Sequence, residues 1–339
     1  MLNKRIREGV CQLRAVATAP AKVILTGEHF VVIGKPAIAM AVNLYSKVKI
    51  SKRNDSTIRI ASSSLKASGT FHSGVYVPET GTADAGKALQ PINSIASHLI
   101  EKAELKNQGL DIEIDSSIPL AAGLGSSASV SVSTIASLSK LLELKSSREE
   151  IRELAFIPEG IVHGKPSGID QTTATYGGVV KFQRDKGFEY VNAKRDIPIV
   201  IGNTGIARST GEQVMKVRIM SQEHPQEFNV IATQAGEISV QAKEAIEKGD
   251  LLHLGKLMNE NHDLLRRVGV SNTKLETLIS SAKASGALGA KLTGAGGGGC
   301  MIALVDQNEE EKVAEEIAKS GGQPFTVKTD REGVKAWLE

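Results

Sequence analysis

Five glycines occupy six positions in Lys291-Leu-Thr-Gly294-Ala-Gly-Gly-Gly-Gly-Cys300, between two apolar runs. Glycine loses more backbone freedom on folding than any other residue, so such a cluster needs a reason: φ > 0, or a very close approach of the backbone to a neighbour. A second glycine turn, Gly123-Leu-Gly125-Ser126-Ser127-Ala128, leads into a helical pattern near mid-chain. Two such loops point to one ligand held between them. Bare backbone N–H groups best reward a phosphate.

The 339 residues suffice for two ordinary domains, and 41% hydrophobic with 23% charged residues supply a sizeable core. A net charge of +3, with no dense Lys/Arg patch, argues against a dedicated nucleic-acid or membrane-surface protein. The two cysteines, Cys11 and Cys300, lack disulfide-scaffold or zinc spacing, which fits a reducing cytoplasm. The charged stretch from Met1 to Arg7 has no apolar run behind it and does not read as a signal peptide. No run reaches the roughly 20 apolar residues of a membrane span.

Strand patterns are expected at 21–25, 36–42 running into 47–50, 57–60 and 110–114, with a helix over 85–104. Residues 61–80, rich in Ser, Gly and Pro, read as irregular. A Ser-capped helix is expected over 126–144 and a hairpin from 179–182 and 188–191. Pro198 places the strand at 197–201 at a sheet edge or a strand start. Helices dominate 210–285. Strands follow at 288–293, 300–305 and 324–327, with a helix at 308–319. The shift from strand-rich to helix-rich pattern puts a boundary near 180–195. The apolar surface of 210–268 serves either the core or a homodimer interface.

Three constellations could carry chemistry. In the central loop, Gly123, Gly125 and the helix behind them collect N–H groups and a helix dipole, with the Ser126 and Ser127 hydroxyls beside them. An ordinary Ser-capped helix accounts equally well for that pattern. Neither glycine loop has a Rossmann context, and no Gly-Lys-Ser/Thr completes a Walker A loop. Next, Gly160-Ile-Val-His163-Gly-Lys165-Pro166-Ser167-Gly168-Ile-Asp170 would project Asp170 from a rigid turn, fit to orient or deprotonate a hydroxyl. Glu159, with a serine hydroxyl, could supply oxygen ligands to Mg²⁺. Read singly, both carboxylates are better explained as a turn residue and a solvated loop residue. Last, Lys22 begins an apolar run ending in Gly27-Glu28-His29, where it could stabilise developing negative charge or could simply be an edge-strand lysine.

Together and in this order, Lys22 to Gly34, Pro119-Leu-Ala-Ala-Gly-Leu-Gly-Ser-Ser-Ala128 and Lys291 to Gly299 closely resemble the galactokinase–homoserine kinase–mevalonate kinase–phosphomevalonate kinase superfamily. The similarity runs from about residue 18 to 305. Gly-Glu-His-Phe-Val-Val followed later by His163-Gly-Lys-Pro-Ser-Gly-Ile-Asp170 looks most like its mevalonate kinase branch; a galactokinase would show Thr-Asp where Phe30-Val31 stand. Two departures occur. Ala121 stands where the second motif usually has glycine, and the Ser127–Glu159 spacing is short beside animal members.

The resemblance implies an α/β (α+β) two-domain fold with the active site in the cleft between. A β-rich N-terminal domain would span 1–185 and a helix-rich C-terminal domain 186–339. It implies that ATP lies along Pro119, Ala122, Gly123, Leu124, Gly125, Ser126, Ser127 and Ala128, with Gly294, Gly296 and Gly297 as a wall from the other domain. Ser127 and Glu159 would hold Mg²⁺. Asp170 would act on the substrate's primary hydroxyl, paired with Lys22, and Glu28, His29, Thr210 and Gly296 would line the substrate site. The implied activity is ATP-dependent phosphorylation of mevalonate to 5-phosphomevalonate in isoprenoid synthesis. The alternatives are another small-molecule kinase of the superfamily, such as a phosphomevalonate kinase, and an inactive ATP and metabolite sensor.

Overall fold

The computed structural model describes residues 13–72, 74–105, 107–163, 167–207 and 209–339. The N-terminal charged stretch, Cys11, Lys165, Pro166 and Arg208 lie outside them. In chain order come β1 (Arg14–Thr26), a 3₁₀ turn (Phe30–Ile33), β2 (Ala37–Lys52), β3 (Ile58–Ser62), β4 (Ala67–His72), β5 (Val75–Thr80), α1 (Ala85–Lys102) and β6 (Leu110–Ser116). Helices α2 (Ser126–Leu141), α3 (Arg148–Leu154), α4 (Phe156–His163) and α5 (Ile169–Tyr176) follow, then the hairpin β7 (Val179–Gln183) and β8 (Gly187–Tyr190). The remainder is β9 (Ile199–Asn203), α6 (Thr210–Glu223), α7 (Pro225–Lys248), α8 (Leu251–Arg267), α9 (Thr273–Ala284), β10 (Gly289–Leu292), β11 (Cys300–Leu304), α10 (Glu310–Lys319), β12 (Gln323–Val327) and β13 (Lys335–Leu338). No described helix is long and apolar enough to cross a membrane.

A large sheet runs β13-β1-β2-β6-β3-β4-β5, with β7 also on β2 and β8 outside it. Among the described residues only β3 and β6 pair in parallel within it. A small antiparallel sheet runs β10-β11-β9-β12. Pro198 lies just before β9, so it is a strand-start proline.

One expectation changes. Residues 61–80 are not irregular but carry the antiparallel hairpin β4–β5. Pro78, which has no N–H to donate, is tolerated because β5 is the sheet's edge strand. Gly69 is required because a Cβ would stand 2.4 Å from the Tyr76 ring. The chain's last strand, β13, also returns to the large sheet beside β1. The division expected at 185/186 falls within the β7–β8 turn, and both β8 and β13 belong to the first sheet.

Helix α2 is buried despite being rich in serine. Its hydroxyls at four-residue spacing face β1 and β2: Ser129 donates to Ala19 O (2.7 Å), Ser133 to Ser46 O (3.2 Å) and Ser137 to Ala15 O (2.9 Å). Small side chains let helix and sheet approach closely, and each net hydrogen bond contributes about 1 kcal/mol. The helix N-terminus is thereby fixed over β1. Apolar residues of β1 divide between two cores. Ala15, Ala17 and Ala19 pack beneath α1 and α2. Ala21, Val23 and Leu25 join one continuous cluster with α7, α8, α9 and the small sheet.

Within that second layer, α8 places His262 Nε2 3.1 Å from Glu276 Oε1 on α9. Burial outweighs the attraction of Glu276, Lys291 adds repulsion, and the imidazole pKa falls from 6.5 to about 4. Between those values the unfolded chain holds a proton that the folded chain refuses. Stability is therefore full above pH 6.5 and is lost as pH falls towards 4. Denaturant unfolding should show this group lowering stability by about 2 kcal/mol from pH 7 to pH 5. His262→Asn should remove that part of the loss.

Candidate active site

Lys22 lies on the face of β1 opposite Ala21 and Val23, is 4% exposed, and reaches the first turn of α5 and the start of α2 together. Its ammonium is 3.3 Å from Asp170 Oδ1 and donates to Gly123 O at 3.1 Å. Its backbone N–H donates to Leu124 O at 2.9 Å. Gly125 caps α2 at φ 74°, and a Cβ there would stand 3.0 Å from Lys22 Cγ, so glycine makes room for the lysine stem. Gly168, at φ 94°, caps α5 and turns Asp170 into its first turn, where the dipole favours a carboxylate. The first N–H groups of α2 have no intrahelical partner and point into the same space. Ala121 itself takes φ 54°, so the loop keeps the left-handed turn that glycine would supply, at a cost of roughly 1–2 kcal/mol.

Ser127 Oγ donates to Glu159 Oε1 at 2.5 Å. Glu159 is 2% exposed. Burial pushes its carboxyl up to about 7; the Ser127 hydrogen bond and Lys22 oppose that shift, while Asp170 adds to it. Beside these residues opens a cavity of about 270 Å³, lined by Leu89, Ile92, Leu120, Ala121, Ser127 and Val130. Its mostly apolar wall adjoins the α2 N-terminus.

Glu28 is not open to a ligand: it is 1% exposed, with Oε1 paired to Lys291 and Oε2 accepting from Asn261 Nδ2 at 3.1 Å. Burial pushes Glu28 up and Lys291 down, against their mutual attraction. His29 adopts φ 63°, and its Nε2 lies 2.9 Å from Ala295 O, tying the turn to the glycine run. Thr210 is exposed on the first turn of α6, one turn before Gln213, which packs against Gly297.

The glycine run is a wall built at backbone distance. Gly297 N–H is spent on Val270 O (2.7 Å) and Gly299 N–H on Ile206 O (2.9 Å), so neither serves a phosphate. Sequence reasoning missed Lys291, Asn261, Thr293 and Gln213 as parts of the site's support. The available signal was a lysine inside an apolar strand directly before the glycines.

The family model for the GHMP kinases N-terminal domain matches residues 90–178, and that for the GHMP kinases C-terminal domain matches residues 242–323. The mevalonate kinase of Pyrococcus furiosus is 41% identical over 331 residues, 95% of this chain and 98% of its own. The chain belongs to the GHMP kinase family. Among solved structures, L. major mevalonate kinase in complex with R-mevalonate superposes with a TM-score of 0.80 at 30% identity, covering 93% of this chain and 95% of its own. The Methanococcus jannaschii mevalonate kinase gives a TM-score of 0.80 at 28% identity, covering 93% and 98%.

In this GHMP kinase the glycines are not equivalent. A Cβ on Gly296 would meet Val270 O at 2.1 Å, a backbone atom that cannot step aside, whereas one on Gly297 would meet the end of the Gln213 side chain at 2.4 Å. Gly296→Ala should therefore cost more than about 3 kcal/mol, and Gly297→Ala roughly half that. Thermal unfolding of the two variants checks the order; equal losses would refute it.

Proposed function

We propose that the cleft transfers the γ-phosphoryl group of ATP to the primary hydroxyl of mevalonate, giving 5-phosphomevalonate and ADP. The observation that carries this is the Lys22 ammonium, held between Asp170 and the Gly123 carbonyl at the mouth of the α2 loop. The cavity beside Leu89 and Val130 takes the adenine, and the triphosphate runs over Gly123–Ser127 to the α2 N-terminus. His29, Gly296 and Thr210 face the alcohol, with Glu28 behind them.

Asp170 accepts the hydrogen bond of the attacking hydroxyl and takes its proton as the new O–P bond forms. The bond from Pγ to the β,γ-bridging oxygen breaks, and ADP leaves with that electron pair. Lys22 pairs with Asp170 and offsets charge building on the transferring group. Such a transition state demands little covalent help, so positioning and electrostatics carry most of the acceleration.

Mg²⁺ fits the donor set. A hydroxyl and a buried carboxylate are hard oxygen ligands, and Mg²⁺ takes one or two carboxylates with substrate phosphates completing its shell. Among the described residues no group of three or more His, Cys, Asp and Glu could hold a metal ion. Ser127 and Glu159 would hold the ion, which supplies charge neutralisation at the phosphate oxygens. The reaction is assigned to the cytoplasm, with no nucleic-acid partner.

Coupled ADP release should show turnover with mevalonate and little with phosphomevalonate, homoserine or galactose. ATP binding without turnover of any of the four would favour the sensor instead. Asp170→Asn should lower kcat by roughly 10²–10⁴-fold with the KM for ATP nearly unchanged. Retained kcat would remove Asp170 from the chemistry.

A further inference from the structure

Lys291 takes no part in that chemistry, yet it is a lysine with 0% exposure in the middle of the molecule. An ammonium has three N–H donors. Here they go to Glu28 Oε1, Leu292 O at 2.7 Å and Ile24 O at 3.4 Å. None is left for a substrate. What the lysine does is grip the segment from Ile24 to His29, which comes from the other end of the chain.

Neighbouring side chains share the grip. Thr293 Oγ1 accepts from Ile24 N–H at 2.9 Å and donates to Ile24 O at 3.3 Å. Asn261 Oδ1 accepts from Gly27 N–H at 3.1 Å while its Nδ2 donates to Glu28. Between these anchors His29 sits at φ 63°, ψ −44°, a conformation that a non-glycine residue keeps only when its surroundings over-determine it. The phosphate loop is held otherwise: by Lys22 on Gly123 and Leu124, and by Ser129 on Ala19. The phosphate loop is thus tied to Ala19 and Lys22 of β1, and the Gly27–His29 turn to β10 and α8 through Lys291 and Asn261.

We propose that Lys291 is a positioning residue for the alcohol half of the cleft, acting through Glu28 to set the Gly27–His29 turn against Ala295. The proposal rests on the kinase activity proposed above. Removing Lys291 alone would strand Glu28 as a buried, unpaired carboxylate, so the informative variant removes both charges together.

Wild-type protein is assayed first with ATP and mevalonate; no turnover there defeats the kinase reading and not this proposal in particular. In the double variant Glu28→Gln/Lys291→Met, the expected result is a cooperative unfolding transition with the KM for mevalonate raised by roughly tenfold or more and the KM for ATP changed less than about threefold. A folded double variant with wild-type constants overturns the proposal, because the pair would then be structural only. Equal increases in both KM values overturn it too, since they mean general loosening. If the double variant does not fold, Asn261→Ser, which removes one donor to Glu28, should give the same split at smaller amplitude. Parallel changes in the two constants, or none, overturn it.

Discussion

The pair between Glu28 and Lys291 is the interaction on which the relation of the two halves depends. Both groups are almost wholly withdrawn from water, and each ion so withdrawn costs several kcal/mol before its partner repays it. Removing one partner of such a pair typically costs roughly 3–5 kcal/mol, because the other is left charged in a low dielectric. The pair joins the two sheets: Glu28 follows β1 of the large sheet, and Lys291 lies in β10 of the small one. Around it the apolar cluster runs without a break from Ala21, Val23 and Leu25 to the helices behind the small sheet. Phe30 meets Phe228 with ring centroids 6.2 Å apart, extending the same contact to α7. The halves are therefore one packed body at this point, and the cleft opens beside it.

A second constraint fixes the nucleotide side. Serines on α2 bond carbonyls of β1 and β2, so the helix start is held relative to the strand that bears Lys22. Lys22 then bridges the loop at Gly123 and the carboxylate of Asp170. Serine suits this purpose: it is small enough for close approach and supplies a donor to a carbonyl that burial would otherwise leave wanting. A leucine stripe would bury more area and keep the helix farther from the sheet.

Much of this was legible in the chain. Period and alternation located α1, α2, β6, the β7–β8 hairpin and the small sheet's strands within a few residues. The glycine loops announced a ligand, and the order of the three motifs named the family. The hairpin β4–β5 was hidden because an edge strand needs neither a continuous apolar run nor a full set of N–H donors, so Pro78 and its serine neighbours read as loop. Strand β13 was hidden because its partner, β1, lies more than 300 positions earlier, and pairing at that range leaves no local pattern. The enclosure of Glu28 was hidden for a related reason. A carboxylate beside a histidine at a glycine turn suggests a ligand, and nothing nearby in sequence tells that Lys291 and Asn261 occupy both its oxygens.

The sequence by itself marked which residues could do the chemistry: Lys22, Asp170, Ser127 and Glu159 have the donors, acceptors and charges. Tertiary structure alone decided which of them face each other, which carboxylate is buried by a lysine and which is shared with a hydroxyl, and which glycine amides are already spent. The physical reason is range. Periodicity and turn chemistry act over a few residues and survive in the string. Desolvation, ion pairing and the fit of a glycine against a distant carbonyl are set by atoms brought together from positions well apart in the chain, 32 residues for Ser127 and Glu159 and 263 for Glu28 and Lys291, and exist only once the chain has folded.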